Sequence, residues 1–277
     1  MTERLFADLS LARRLEKAEA HASARFVEAR ARVMPETSAE WREVAGAYAM
    51  FDGVDSPLTQ SFGLGLFDEV EAEHLEELTG FFHDRGSAAY HETCPLALQR
   101  PPLLALLSGA GYHPVELSSV LYLELPTGVA DAASNERIAV RQASETERDV
   151  WVRVTVEGWC EYPELMDYLE GIGPVMAARE DGVLFLAELE GEPIAAAALS
   201  IHGGVALLAG AATVPQARRQ GAQLALLRER LRFSYQHGCD VALMCAQPGS
   251  ASQRNAERQG FRIAYTRIKW ELPAGTN

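Results

Sequence analysis

Residues 213–223 combine the side chains and the spacing of a site for a phosphorylated ligand. The arginines Arg218 and Arg219 supply charge-assisted donors for phosphate oxygens, and Gly221 lets the backbone approach a ligand closely. The residues of interest are Thr213, Val214, Arg218, Arg219, Gln220, Gly221, Ala222 and Gln223. This segment predicts a loop that binds a pyrophosphate; the alternative is a basic surface turn before a helix.

Such a loop needs a strand before it and a helix after it. The segment 205–213 is continuously apolar and rich in small residues, which predicts a buried strand. The segment 222–235 carries leucines at helical spacing and is followed by Gly238, which predicts a helix and its end. The first turn of that helix would offer unpaired N–H groups and the positive end of its dipole to an anion.

The rest of the second half predicts an α/β (α+β) domain. We expect the order β-α-α-β-β-β-α-β-α-β, which gives a mixed, twisted sheet flanked by helices on both faces. The expected strands are 137–141, 183–188, 194–201, 205–213, 241–245 and 263–264 with 268–272, and the expected helices are 146–158, 163–168, 222–235 and 251–259.

A second motif lies about forty residues after the loop, where Asn255 stands on a predicted helix that ends at Gly260-Phe261. With these two motifs in this order, residues 137–272 resemble the GNAT superfamily of N-acetyltransferases, whose phosphate loop follows V-x-P-x-x-R-x-x-G-x-G/A. The resemblance implies acetyl-CoA as co-substrate and transfer of its acetyl group to an amine. It also implies that the backbone of Thr213 and Val214 pairs with pantetheine and that Asn255 reaches the cofactor.

The chain departs from the GNAT pattern at two positions. Gln223 replaces a small residue, where its side chain either crowds the pyrophosphate or donates a hydrogen bond to it. Ala256 stands where the family often has a tyrosine that protonates the leaving thiolate. A non-catalytic acyl-CoA sensor, which would keep the loop and lose the catalytic groups, therefore stays open beside the enzyme. A third alternative is a structural partner that binds no ligand.

Acetyl transfer needs a base for the amine proton and an acid for the thiolate. For the acid, the candidates are Tyr265 and Cys245, and each has an alternative role as a core residue. For the base, the candidate is Glu161, in a helical region that also contains Glu157, Trp159, Tyr162 and Glu164. An acidic and aromatic wall suits a cationic amine, although a solvated helix face explains the same charges. Proximity with a water chain would need none of these side chains.

The first half repeats the second in outline, which indicates a tandem of related folds. Its predicted helices are 3–33, 71–82 and 98–107, and its predicted strands are 59–66, 88–92 and 120–125. At the position of the phosphate loop, residues 67–74 are acidic and lack glycine. We therefore predict a degenerate GNAT-like domain without a CoA site at 1–130, a linker near 126–135, and the acetyltransferase domain at 137–277. The alternative is a coincidence of α/β order.

Composition and charge limit the classes of partner. The chain has 277 residues, of which 48% are hydrophobic, and a net charge of −14. These values argue against disorder and against a general nucleic-acid-binding surface. With no apolar run of 18 residues and no signal-peptide pattern, we expect a cytoplasmic protein without a membrane segment. Four cysteines without paired spacing predict no metal site. We expect a small-molecule or peptide amine as acceptor, and a monomer or homodimer.

Overall fold

The computed structural model describes residues 5–54, 56–98, 101–125, 135–160 and 163–274, and its chain divides into two compact units. Unit 1 comprises Met1–Leu123 together with Leu243–Asn277, and unit 2 comprises Glu124–Ala242. The predicted linker falls mostly on 126–134, outside the described residues. The units differ from the sequential domains 1–130 and 137–277, because the last part of the chain groups with the first half. The sequential domains remain a prediction about the repeat.

Unit 1 contains a six-stranded portion of sheet in the order β1-β2-β3-β4-β11-β5. Its elements are α1 (Leu9–Val33), β1 (Glu40–Val44), β2 (Ala47–Phe51), β3 (Gln60–Phe62), α2 (Ala72–His83), β4 (Ala89–Thr93), α3 (Pro95–Leu98), α4 (Pro101–Gly109), β5 (His113–Glu124), α8 (Ala251–Arg258) and β11 (Arg262–Leu272). β3 and β4 run parallel, whereas β11 is antiparallel to both of its neighbours, β4 and β5. The predicted mixed sheet is thereby confirmed.

The helix α1 is capped by a side chain at its start and packs on the sheet through a face of small residues. The carboxylate of Asp8 accepts a hydrogen bond from the backbone N–H of Leu11 at 2.9 Å, which caps the first turn. Alanines on one face of the helix let it lie close to the sheet, and Ala20, Ala24 and Val27 share a buried cluster with Met50 and Phe62. α1 therefore covers one face of the unit 1 sheet.

Unit 2 contains the antiparallel order β9-β8-β7-β6 and three helices. Its elements are β6 (Ile138–Gln142), α5 (Arg148–Gly158), α6 (Pro163–Ala177), β7 (Gly182–Leu189), β8 (Glu192–His202), β9 (Val205–Thr213) and α7 (Ala222–Gln236), and β10 (Val241–Ala246) crosses the division between the units. The predicted order of strands and helices in the second half is found, and β9 has the predicted limits.

Several elements differ from their predictions for physical reasons. β1 and β2 form a hairpin that alternation did not indicate, because β2 is buried on both faces. β5 begins at His113 rather than Val120, and this added part is exposed and lacks an apolar pattern. α6 continues to Ala177 despite Gly173, where a Cβ would lie 2.6 Å from Val152, so the glycine permits close packing on α5. The two short segments predicted at 263–272 are one strand, β11.

The described residues were also compared with the requirements of a membrane-spanning helix and of a metal site. Within them, no helix combines the length and apolar character that crossing a membrane requires. In the same ranges, no three His, Cys, Asp or Glu side chains are grouped so that they could hold a metal ion.

Candidate functional site

The strand β9 carries a bulge three residues before its end. The register with β8 passes from Ala196↔Ala212 to Ala198↔Ala209, so that two residues of β9, Gly210 and Ala211, oppose Ala197 alone. Gly210 has φ +59°, a left-handed conformation that suits glycine at a bulge. The bulged residues are partly exposed in a strand that is otherwise mostly buried. An extra residue in a bulge is left out of the ladder, here the ladder with β8.

Two buried side chains hold the backbone around the bulge. The indole Nε1 of Trp151, on α5, donates to the carbonyl of Ala197 at 3.1 Å. The guanidinium of Arg230, on α7, donates through Nη1 to the carbonyls of Ala198 at 3.0 Å and Ala209 at 3.3 Å. Neither residue is among the candidates predicted from the sequence. The signal for Arg230 was a charged residue on the apolar face of a helix, four positions after a buried leucine.

The loop after β9 is held to the body of unit 2 by Arg218. Its Nε donates to the carbonyl of Thr213 at 3.2 Å, and its Nη2 donates to the carbonyl of Gly158, at the end of α5, at 2.9 Å. Gly158 is required there, because a Cβ would lie 2.6 Å from the Cβ of Ala212. Arg218 thus shapes the loop, whereas the neighbouring Arg219 is exposed and has φ +62°.

The N-terminus of α7 is open. Gly221 is its N-cap, with φ +98° and ψ 4°, and no side chain caps the helix. None of the backbone N–H groups from Arg219 to Leu224 donates to an acceptor in the described residues. Asn135 fixes the approach to the helix by donating to the carbonyl of Gln220 at 3.2 Å. Unpaired N–H groups at the positive end of a helix dipole form a site for an anion.

The side chain of Gln223 is turned toward β9. Its Nε2 donates to the hydroxyl of Thr213 at 2.8 Å. Thr213 and Val214, which are assigned to pantetheine, are both buried, at 8% and 3% exposure. The amide of Gln223 thus joins the start of α7 to the end of β9, and both alternatives for this side chain toward a pyrophosphate stay predictions.

The start of α2, at the equivalent place in the first half, is closed. The carboxylate of Glu71 accepts from the backbone of the first turn, and the ring of His74 accepts from the backbone N–H of Glu71 at 3.2 Å. This capping box occupies one N–H of the first turn and places the Glu71 carboxylate at the helix start, where it would repel an anion. The strands that precede and follow α2 are also hydrogen-bonded to each other, with Ser61 opposite His91. The absence of a phosphate loop from the first half stays a prediction.

The catalytic candidates Tyr265 and Cys245 both lie in a buried cluster of unit 1 around Arg267. The hydroxyl of Tyr265 donates to Glu16 at 2.9 Å, and the thiol of Cys245 donates to Glu19 at 3.2 Å. Burial raises the pKa of Tyr265 and of Cys245 well above their ordinary values. Both groups therefore keep their protons at neutral pH, and their assignment as acid remains a prediction.

Arg267 is 1% exposed and faces more than one carboxylate. Its Nη2 lies 2.6 Å from Glu19, and its Nε lies 3.2 Å from Glu92 and 3.6 Å from Glu16. Burial raises the pKa of Glu16 to about 7, although the charge of Arg267 opposes the shift. The cluster therefore holds three acidic side chains against one guanidinium, which favours a proton on Glu16 near neutral pH.

The remaining candidates, Asn255 and Glu161, are not brought to the loop by any contact among the described residues. Asn255 lies on an exposed position of α8, and the adjacent Ala256 is buried at 2% exposure. Glu161 and Tyr162 lie outside the described residues. Of the neighbouring acidic residues, Glu157 accepts a hydrogen bond from Gln216 of the loop at 3.0 Å. The structure thus brings the loop residues together around the α7 N-terminus, and Asn255 and Glu161 stay predictions.

A Ser–His pair also lies in unit 1, and its setting excludes nucleophilic catalysis. The hydroxyl of Ser61 lies 2.6 Å from Nδ1 of His91, whose Nε2 lies 2.9 Å from the hydroxyl of Tyr112. Ser61 and His91 are both fully buried, and burial lowers the pKa of His91 to about 3. The imidazole is therefore neutral, and the network is part of the core.

The comparisons with known proteins confirm the resemblance for the second half. Residues 124–247 match a family model described as an acetyltransferase (GNAT) domain. This match includes β9, the loop and α7. A search of curated protein sequences found no match.

Solved structures show the fold over most of the chain. A GCN5-related N-acetyltransferase from Kribbella flavida is 18% identical over 91% of this chain and 96% of that chain, with a TM-score of 0.63. A GCN5-related N-acetyltransferase from Sphaerobacter thermophilus is 16% identical over 83% and 78%, with a TM-score of 0.57. A tandem GNAT protein from the clavulanic acid biosynthesis pathway is 15% identical over 74% and 69%, with a TM-score of 0.55.

Proposed function

We propose that this chain, whose residues 124–247 form a GNAT domain, transfers an acetyl group from acetyl-CoA to an amine. The observation that carries the proposal is the open N-terminus of α7, with its uncapped donors and Gly221 in a left-handed conformation. In this proposal the cofactor-binding residues are Thr213, Val214, Arg219, Gln220, Gly221, Ala222 and Gln223, and Arg218 holds the loop through its hydrogen bonds to Thr213 and Gly158. The pyrophosphate of CoA is the anion that these donors would bind.

The chemistry is a nucleophilic substitution at the thioester. The amine nitrogen forms a bond to the acetyl carbon, the carbon–sulfur bond breaks, and CoA leaves as its thiolate. The amine proton passes to a base, and an acid returns a proton to sulfur, so the products are an amide and free CoA. Holding the amine against the thioester supplies much of the rate by proximity.

The acceptor that we propose is a cationic amine of a small molecule or a peptide. The supporting observations are the net charge of −14 and the acidic residues that follow α5. A negative protein field raises the local concentration of cations. The amine must lose its proton before it attacks, so we expect the rate to rise with pH over the range in which the amine titrates.

Two measurements test this function. Titration calorimetry with acetyl-CoA should show saturable binding, and binding at a hundred times the dissociation constant should raise the free energy of unfolding by about 2.7 kcal/mol. A thiol-release assay against a panel of amines should then show turnover with at least one member. Binding of acetyl-CoA without turnover on any amine would favour the sensor, and the absence of binding would exclude both functions.

Charge reversal in the first half should leave the cofactor site unchanged. Glu69 and Glu73 are exposed residues beside the closed start of α2. Because that terminus is capped by its own side chains, we expect Glu69→Lys with Glu73→Lys to change the dissociation constant of acetyl-CoA by less than about twofold. As the matched variant, Arg219→Glu in the α7 loop should raise it at least about tenfold, the value of one charge-assisted hydrogen bond. A tenfold effect of the first pair of substitutions would contradict the closed site.

A further inference from the structure

We propose that two copies of this chain associate through the groove between α5 and α6, so that each copy covers the groove of the other. The inference concerns an interaction surface of unit 2. It goes beyond the proposed function and does not depend on it. Three observations carry it: the apolar floor of the groove, two unpaired charges of opposite sign along its rim, and the balance of charge in this part of an acidic protein.

The floor of the groove is apolar and largely uncovered. Val152 and Val156, one turn apart on α5, line a volume of about 740 Å³ together with Pro174, Ala177 and Ala178 of α6. All of these residues except Ala177 are half-buried or exposed. A contiguous apolar surface of this kind is typical of a contact with another molecule.

The shape of the groove fits an elongated partner. It is open to solvent rather than enclosed, whereas a site for a small molecule surrounds most of its ligand. At its floor the two helices touch, since a Cβ on Gly173 would lie 2.6 Å from Cγ1 of Val152. A helix laid along two closely packed helices can bury an apolar face against both of them.

Two charged side chains on the α5 rim of the groove have no partner among the described residues. Asp149 and Arg153 are exposed and one turn apart, with the acid nearer the N-terminus, which is the order that favours an ion pair within a helix. Yet neither side chain forms an ion pair or a hydrogen bond in the described part of the chain. Both charges are therefore available to groups of another molecule.

The charges that line the groove balance each other. Arg148 and Arg153 stand against Asp149 and Glu157, whereas the whole chain has a net charge of −14. Two copies with this net charge repel each other, so they approach at least cost where the signs balance. Salt at physiological concentration screens the remaining repulsion beyond about 8 Å. A strongly basic partner would instead need an acidic groove, and the balance therefore favours a second copy.

A two-fold axis makes the two unpaired charges complementary to themselves. In a two-fold interface, residue i contacts residue j of the other copy, and j contacts i. Asp149 and Arg153 lie about 6 Å apart along α5. An antiparallel second α5, with the axis midway between these residues, places each Asp149 opposite the Arg153 of the other copy. Val152 then lies beside the axis, and the apolar floor is covered.

The test measures the mass of the whole chain in solution. In sedimentation equilibrium, the wild-type mass should rise with concentration from the 30.3 kDa of one chain to twice that value. We expect a dissociation constant on the order of 10 µM, since the interface is small. Asp149→Arg and Arg153→Asp each place four like charges at the axis, so each should raise this constant at least about tenfold. The two substitutions in one chain exchange the charges and should restore association, which shows that the single variants lost contacts rather than the fold.

An equal mixture of the two single variants tests the two-fold geometry directly. Each variant alone should keep the mass of one chain where the wild type is a dimer. The mixture should form dimers, because the arginines of one chain meet the aspartates of the other. Glu192→Arg is the matched control, since Glu192 is exposed at the start of β8 in the same unit and its reversal changes the net charge as Asp149→Arg does. It should leave the dissociation constant within about twofold of wild type.

Two results would overturn the inference. A wild-type chain that keeps the mass of one copy up to about 100 µM leaves the groove to another occupant. A dimer that survives both single substitutions unchanged has its interface elsewhere. Neither result bears on acetyl-CoA binding, which the calorimetry of the proposed function measures separately.

Discussion

Replacing Gly221 with valine should raise the dissociation constant of acetyl-CoA at least a hundredfold. Gly221 is the N-cap of α7 with φ +98°, a region that a β-branched residue occupies only at a cost of roughly 1–3 kcal/mol. The space at this position is open, since a Cβ would have only Asn135 nearby, at 3.9 Å. The expected loss is therefore conformational, because relief of the strain would turn the first amides of α7 away from the phosphates. Titration calorimetry measures it.

Gly191→Val is the matched control. Gly191 has φ +88° in the turn between β7 and β8 of the same unit, and a Cβ there would contact nothing within 4 Å. It should cost a similar amount of stability and leave the affinity for acetyl-CoA within about twofold. If Gly221→Val and the wild-type protein bind acetyl-CoA with equal affinity, the assignment of 213–223 as the phosphate loop is wrong.

Replacing Arg267 with methionine should destabilise the protein by about 3–5 kcal/mol, the usual cost of removing one partner from a buried ion pair. Arg267 is the guanidinium within 4 Å of Glu16, Glu19 and Glu92. Without it, these carboxylates lie together in a buried place and repel each other. Urea denaturation at pH 7 measures the effect, and Arg262→Met, at an exposed position of the same strand, should stay within about 0.5 kcal/mol of wild type.

The same substitution should show a defined pH dependence. In the wild-type fold, the pKa of Glu16 is raised from 4.5 to about 7, so its contribution to stability is present below pH 4.5 and is lost as the pH rises through about 7. Without Arg267 the carboxylate loses the charge that opposes this shift, so its pKa rises further. The cost of Arg267→Met should therefore be larger at pH 8 than at pH 5. A pH-independent cost, or one below 1 kcal/mol, would show that the cluster is hydrated.

Much of unit 2 could be predicted because its elements follow local rules. β9 is a continuous apolar run, and α7 combines leucines at helical spacing with an end at Gly238, so both were placed within a residue of their limits. The hairpin β1–β2 of unit 1 and the exposed start of β5 could not be predicted, since neither has the alternation of a half-buried strand. The place of β11 between β4 and β5 depends on contacts between distant segments, which no local pattern contains.

The candidate site also contains residues that could be predicted from the sequence and residues that could not. The loop from Thr213 to Gln223 could be proposed from the sequence because glycine and arginine have specific uses at a helix start. The roles of Trp151 and Arg230 could not, because a side chain that donates to a bulged strand is defined by a register that appears only in the folded sheet. For Gln223 the sequence left two alternatives, and the hydrogen bond to Thr213 depends on the approach of helix and strand.

The place of β11 also governs the order in which the chain can fold during synthesis. When residue 123 has left the ribosome, β4 and β5 are both present, yet the strand that pairs with each of them is still about 140 residues away. Until then both strands have an edge open to wrong pairing, including pairing with another nascent chain. A premature stop codon just before β11 would therefore damage the sheet of the first half of the protein and leave all of β9 and α7 translated.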